Sequence, residues 1–364
     1  MIYVTFAVCF LVSILTTPFF KRMAIMVGAI DQPNQRKVHK KITPLLGGMA
    51  IFVGFMIGII LLMPVSPVIL PIILGASIIA LTGMIDDILG LPAKWKFFGQ
   101  SIAAAIVIYG GVYIEFITFP FEYMLDLGGF GIPLTFLWIV AITNAINFID
   151  GLDGLAAGVS SIVLTTITGI AIMEGNAVIL ALTIILLAST LGFLLHNFHP
   201  ATIFMGDTGS LFLGYMIAVI SILGFKSITF FTLIVPVIIL GVPIFDSLSA
   251  IIRRLVNKKP FYLPDKSHLH HCILNLGFSH RMTVLIIYGL STFFAICAML
   301  LTKSTLFGGI IIIAVFIFTI EMVVEIVGLI NNRYRPMLNL FNKVMMMKPS
   351  FFNTSDAHKQ EKDW

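Results

Sequence analysis

Long apolar runs separated by short polar gaps fill almost the whole chain. A membrane-spanning helix needs about 20 predominantly apolar residues. Eleven stretches approach that requirement: 2–20, 45–63, 68–86, 97–114, 134–149, 154–173, 177–195, 209–224, 229–251, 283–301 and 306–330. The fifth is short. Pro64 and Pro67 bracket a tight turn between the second and third. Pro236 and Pro243 lie inside the ninth and predict a kink, because proline removes a backbone donor and crowds the preceding turn. The pattern predicts an all-α integral membrane protein, a polytopic bundle of about eleven transmembrane helices. One domain covers residues 1–332, and a tail covers 333–364.

Charge gives the bundle an orientation. Counting from the first gap, alternate gaps are 21–44, 87–96, 150–153, 196–208, 252–282 and the tail. They hold 20 of the Lys and Arg residues and all eight histidines; only Lys226 and Lys303 fall on the other side. The positive-inside rule then places the N-terminus outside and the tail in the cytoplasm. Met1 to Phe20 has no basic start and no small-residue cleavage site, and Lys21-Arg22 follow, so a retained first helix is expected rather than a signal peptide. The long outer gap, 115–133, predicts a small hairpin from the β-formers of 112–121 and a turn at Gly128-Gly129.

Composition supports the membrane reading. Of 364 residues, 59% are hydrophobic and 11% charged, against about 25% charged in a soluble domain. The net charge of +5 is modest, and no nucleic-acid partner is expected. Cys9, Cys272 and Cys297 form no disulfide framework and no CxxC pair.

Candidate chemistry collects in the gaps of one side. Asp86-Asp87 end the third run, with Lys94 and Lys96 following. An Asp at a helix centre costs about 2.5–3.5 kcal/mol on insertion scales, so a pair belongs near water or a cation. It is either a polar stop or a metal or phosphate site. In Asn144-Ala145-Ile146-Asn147-Phe148-Ile149-Asp150-Gly151-Leu152-Asp153-Gly154, the first three polar residues step by three along one helical face. A helix cap needs one such residue, and this run has four. Asp207, in Gly206-Asp207-Thr208-Gly209-Ser210, is either a cap or a carboxylate offered to Mg²⁺ beside N–H groups suited to phosphate. His196, Asn197 and His199 stand just upstream. The segment 258–281 carries Asp265, Lys266, His268, His270, His271 and His280. Its nearby cations suit phosphate. Zinc, with Cys272 adjacent, and a plain amphipathic loop are the other readings. The basic loop 31–41, with Arg36, Lys37, His39, Lys40 and Lys41, is either a topology signal or part of the same site.

Taken in order, these motifs resemble the polyprenyl-phosphate N-acetylhexosamine-1-phosphate transferase family over nearly the whole chain, from Asp31 to Gly277. Asp31-x-Pro33, Arg36-Lys37-x-His39 and Asp265-Lys266-x-His268-x-His270-His271 resemble most the undecaprenyl-phosphate GlcNAc-1-phosphate branch. The chain departs at Leu45, where family members often carry arginine after the proline.

The resemblance implies a UDP-activated N-acetylhexosamine giving its sugar 1-phosphate to a polyprenyl phosphate, with release of UMP. The reaction would start a cell-envelope glycan, such as a teichoic acid, at the bacterial inner membrane. Mg²⁺ is the implied cofactor, with Mn²⁺ as a substitute, and a homodimer is left open. By resemblance, Asp207 and Asn144 hold the metal, and Asp86, Asp87, Asp150 and His268 are catalytic. His39, Lys41, Lys96, Asn147, Asp153, Asn197, His270 and His271 would bind substrate. Asp246, on the ninth run, has no clear role beyond a structural one. Transfer of phospho-MurNAc-pentapeptide is the alternative within the family. A secondary transporter is the alternative outside it, though its carboxylates should sit near the midplane within paired, interrupted helices.

Overall fold

The computed structural model describes residues 1–31, 42–118, 124–224, 234–256, 268–329 and 336–339. Within lipid only a helix or a closed barrel satisfies its own backbone groups, and the apolar runs have become helices. In chain order these are α1 (Ile2–Val27), α2 (Gly48–Leu62), α3 (Ile69–Leu89), α4 (Ala93–Tyr109), α5 (Gly131–Ile149), α6 (Leu155–Glu174) and α7 (Ala177–Asn197). Next come α8 (Gly206–Gly224), α9 (Ile234–Ile239), α10 (Gly241–Val256), α11 (Leu269–Asn275), α12 (His280–Thr302) and α13 (Leu306–Val327). Two ribbons complete the described chain: β1 (Ile30–Asp31) with β2 (Thr43–Pro44), and β3 (Phe116–Thr118) with β4 (Met124–Asp126), both antiparallel.

Eight helices among the described residues are long and apolar enough to cross a membrane: α1, α3, α5 with its 3-10 lead-in, α6, α7, α8, α12 and α13. The chain is therefore an all-α polytopic membrane protein. The second and fourth apolar runs give shorter helices of 15 and 17 residues. The ninth is interrupted after Ile239, between Pro236 and Pro243, where the proline positions predict a kink. The tail beyond 339 lies outside the described residues.

The centre of the bundle is α8, which packs against α2, α3, α5, α6 and α7. Its apolar window is 89% buried, against 22% for α1 and 17% for α13, which form the lipid-facing periphery. Small residues explain the position of α8. Between apolar helices in lipid, close backbone approach supplies the packing energy that water supplies elsewhere. A Cβ on Gly48 of α2 would lie 2.1 Å from the backbone nitrogen of Gly209, and one on Gly83 of α3 would lie 2.5 Å from the backbone of Asp207 and Thr208. Both contacts fall at the start of α8, so packing fixes that end.

Three local expectations change. The third run continues to Leu89 rather than stopping at 86, which keeps Asp86 and Asp87, expected to end it, in the last turn of α3. The outer ribbon exists, but Gly128-Gly129 do not turn it; they open a 3-10 turn leading into α5. The histidine cluster lies at the head of α11, which is too short to announce itself by periodicity.

Gly48→Val is expected to lower the unfolding temperature of the purified protein in detergent, since overpacking a tight contact costs about 1–3 kcal/mol. Gly289→Ala in α12, where a Cβ meets nothing within 4 Å, is the control and should be neutral. Equal melting of Gly48→Val and wild type would mean that α2 and α8 do not touch there.

Candidate active site

Where α3, α5 and α7 end and α8 and α12 begin, a cavity of about 560 Å³ opens. Six aspartates line it: Asp31, Asp86, Asp87, Asp150, Asp153 and Asp207. Asn147, Asn197, His271 and His280 complete its polar wall. Motifs spread over 250 residues of sequence thus share one wall.

Asp87 makes the tightest connection. Its Oδ1 accepts the N–H of Asp207 at 2.8 Å. Its Oδ2 accepts the N–H of Thr208 at 3.0 Å and the Thr208 hydroxyl at 2.5 Å. A carboxylate on the first free N–H groups of a helix both caps it and answers its positive end. Gly206 is required for this approach: its φ is +69°, and a Cβ there would lie 2.4 Å from Asp87 Oδ2. Asp87 is thereby committed to holding the start of α8.

Asp207 then projects from the first turn of α8. Its Oδ2 lies 2.5 Å from Lys96 Nζ, and its Oδ1 accepts from Asn147 Nδ2 at 3.1 Å. The same ammonium lies 2.6 Å from Asp86 Oδ2, while Asp86 Oδ1 accepts the N–H of Leu91 at 2.6 Å. Lys96, in the first turn of α4, therefore bridges two carboxylates from different helices. A cation already drawn between them marks the point where positive charge is needed. The oxygens around it are carboxylates, which suit a hard divalent ion rather than zinc.

Asp150 follows the last residue of α5, and its carboxylate has no hydrogen-bond partner among the described residues. Burial, then the charges of Asp207, Asp87 and Asp153, push its carboxyl up to about 8. Asn144 is placed differently. Its amide is paired reciprocally with Gln100 of α4, at 2.7 and 3.3 Å, and it is not among the residues lining the cavity. Spacing by three put Asn144 and Asn147 on one face, but one turn of rise separates their surroundings.

The turn after α5 is held by hydrogen bonds. Asn197 accepts the N–H of Gly154 at 3.1 Å and donates to the carbonyl of Ile203 at 3.0 Å. Asp153 Oδ2 accepts the N–H of Ala201 at 3.0 Å and sits 2.7 Å from His199 Nδ1. The N–H of Asp153 donates to His280 Nε2 at 3.0 Å, and the rings of His199 and His280 stack at 4.2 Å. Asp153, His199 and His280 bring ligand-type atoms within 4.8 Å of one another. The His280 lone pair is already taken by an amide, however, and near-parallel rings aim their in-plane lone pairs side by side. These three groups form a clamp, which leaves Asp153 beside the cavity.

The histidines of α11 divide their tasks. His271 lines the cavity. His270 is buried, and burial together with His271, His268 and His280 pushes it down to about 3, so it is neutral. It packs on Gly151, where a Cβ would meet its Nε2 at 2.4 Å. His268 stands behind the lining, with Nδ1 2.9 Å from Asp246 Oδ2. His39 and Lys41, together with Arg36, Lys37, Asp265 and Lys266, lie outside the described residues.

The resemblance assigned no role to several residues now at the site. Asp31 is carried to the cavity by the β1–β2 ribbon, whose strands are two residues each. His280 reaches it as the first residue of α12. Ser210 accepts from Asn147 at 2.8 Å and steadies that amide. Asp31 stood in the Asp31-x-Pro33 motif, His280 in the histidine-bearing segment and Ser210 one turn after Asp207, but none had been given a role.

Residues 69–225, which supply most of this wall, match the model of glycosyl transferase family 4. The chain is 47% identical over 347 residues to a probable undecaprenyl-phosphate N-acetylglucosaminyl 1-phosphate transferase of Bacillus subtilis, covering 94% of this chain and 97% of the relative. It is 37% identical over 307 residues to the decaprenyl-phosphate N-acetylglucosaminephosphotransferase of Mycobacterium tuberculosis, covering 74% of each. It is 34% identical over 278 residues to a phospho-N-acetylmuramoyl-pentapeptide-transferase of Moorella thermoacetica, covering 71% of this chain and 84% of the relative. The Asp87-capped α8 and the aspartate-lined cavity thus lie within a matched core, and the chain belongs to glycosyl transferase family 4, among the polyprenyl-phosphate N-acetylhexosamine-1-phosphate transferases.

Proposed function

We propose that this protein transfers GlcNAc 1-phosphate from UDP-GlcNAc to undecaprenyl phosphate, giving undecaprenyl-diphosphate-GlcNAc and UMP. The observation that carries the reading is the aspartate-lined cavity at the helix ends, with Asp207 presented at the start of α8 beside Lys96. The similarity to the Bacillus subtilis relative, over nearly the whole length of both chains, supports the choice of sugar and lipid. The topology that goes with it has about eleven spans, the N-terminus outside and the cavity facing the cytoplasm, where nucleotide sugars are made. The protein then resides in the bacterial inner membrane, and the product starts a cell-envelope glycan of the teichoic-acid kind.

The reaction joins two anions. An oxygen of the lipid phosphate attacks the sugar-bearing phosphorus of UDP-GlcNAc in line, the bond from that phosphorus to the bridging oxygen breaks, and UMP leaves with the electron pair. Asp207 is the proposed ligand of Mg²⁺, for which Mn²⁺ substitutes, with Asn147 holding its second oxygen in place. When bound, the ion neutralises phosphate charge and aligns the diphosphate. Lys96 supplies a fixed positive charge beside it. A phosphate monoester loses its second proton near pH 6, so the acceptor arrives mostly dianionic and needs no strong base. Asp87 then acts by fixing α8, and Asp86 by holding Lys96. Asp150 and Asp153 form the nucleotide side, and His271, with His268 behind it, faces the diphosphate as charge shifts to UMP. His39 and Lys41 belong to the same anion-binding set.

Incubation of the purified protein with UDP-GlcNAc, UDP-MurNAc-pentapeptide and undecaprenyl phosphate tests the assignment. Mass spectrometry of the lipid fraction should show the GlcNAc product only, with UMP in the aqueous phase. Released UDP would mean ordinary glycosyl transfer, and a pentapeptide-bearing lipid would move the protein to the other branch. Chelation should stop turnover and added Mg²⁺ restore it. Asp207→Asn should fold normally and lose at least about 100-fold in kcat; near-normal kcat would remove Asp207 from the metal site.

Asp150 predicts a stability effect of opposite sign. Its folded-state pKa lies above the ordinary carboxylate value, so its contribution to stability is fully present below that value and is lost as pH rises toward about 8. Asp150→Asn should therefore raise the unfolding temperature of the ligand-free protein at pH 8 while lowering turnover. A lower unfolding temperature in that variant would show that the carboxylate is not electrostatically strained.

A further inference from the structure

The most deeply buried carboxylate near the site belongs to a residue with no place in the scheme above. Asp246, on α10, is 1% exposed. Both of its oxygens are used at one point: Oδ2 meets His268 Nδ1 at 2.9 Å, and Oδ1 accepts the N–H of Leu269 at 2.7 Å. The first bond concerns a ring and the second a helix start. A carboxylate paired with Nδ1 can only accept, so the proton must sit on Nδ1. The bond made by one imidazole nitrogen fixes the state of the other. No described residue hydrogen-bonds His268 Nε2. The ring also rests against Phe148, with centroids 5.8 Å apart, and lies parallel to His270 at 6.0 Å. It is therefore held in orientation from two sides and left with one free nitrogen.

We propose that Asp246 is a positioning residue for the transfer reaction: it holds His268 as the Nδ1–H form and so keeps the Nε2 lone pair to accept a hydrogen bond from a hydroxyl of the phosphate-bearing substrate. The inference rests on the reading of the cavity given above. It adds the residue that sets the histidine's state. Capping α11 is a separate task of the same side chain, and the two are separable. Asn at position 246 keeps one oxygen for the Leu269 N–H but turns an NH₂ group toward His268. Nδ1 must then accept, and the proton moves to Nε2.

Turnover is measured for wild type, Asp246→Asn, His268→Ala and the double variant. Asp246→Asn should lower kcat about 10- to 100-fold, with KM for UDP-GlcNAc within about twofold and an unchanged unfolding temperature. In the His268→Ala background the same change should cost no further activity, because its target is gone. A cap-only role gives the opposite result, an equal loss in both backgrounds, and overturns the proposal, as does wild-type kcat in Asp246→Asn. Nitrogen-15 histidine spectra of the wild-type protein, assigned with His268→Gln, give a readout that needs no folded Asp246 variant. A protonated Nδ1 on His268 supports the proposal, and an unprotonated Nδ1 defeats it. If wild type shows no transfer from UDP-GlcNAc, the functional reading fails, and the spectra still decide the tautomer.

Discussion

The geometry of the site depends on one carboxylate, Asp87, seated on the first N–H groups of α8. The backbone of α8 is pressed between Gly48 and Gly83, and its start has no covalent reason to face the end of α3. Three hydrogen bonds from Asp207 and Thr208 supply that reason. Asp207 itself donates one of these bonds, so the position of its carboxylate follows from the position of Asp87. The adjacent residue, Asp86, is turned toward Lys96 instead. Two consecutive aspartates thus separate into a helix cap and an ion-pair partner.

The second constraint is charge. Six aspartates face one cavity, and the fixed cation bridging any of them among the described residues is Lys96. Much of the surrounding architecture limits the repulsion this creates. Asp87 is spread over three donors, Asp153 is divided between Ala201 and His199, and Asp86 shares Lys96 with Asp207. Asp150 has no such partner and responds by holding its proton. A site under this strain gains from any ligand that brings positive charge.

The helices were legible because a bilayer allows few alternatives, and their apolar length is written plainly in the sequence. The polar residues of the site were legible for the related reason that carboxylates near lipid are costly unless used. What sequence spacing could not show was which polar groups turn to one another. Asn144 and Asn147 look equivalent at a spacing of three, yet one pairs with Gln100 and the other with Asp207. Asp246 is separated from His268 by 22 positions, so nothing local linked them. The β1–β2 ribbon, two residues on each side, is too short to carry a pattern, so Asp31 stood in a motif without a place at the site.

The location of the cavity also bears on what class of protein this is. Asp86 and Asp87 end α3, Asn147 and Asp150 end α5, and Asn197 ends α7, while Lys96, Gly154, Asp207 and His280 stand at the starts of α4, α6, α8 and α12. In an up-and-down bundle, the ends of alternate helices and the starts of the intervening ones share a face, so one alternation pattern gathers all of these residues. A transporter needs its polar groups near the midplane, reachable from both sides in turn. Here they sit at helix termini, where a water-soluble molecule and a lipid headgroup can meet without crossing the hydrocarbon. The one interrupted apolar run, α9 to α10, delivers Asp246 to the histidines at this same end rather than opening a path through the bilayer.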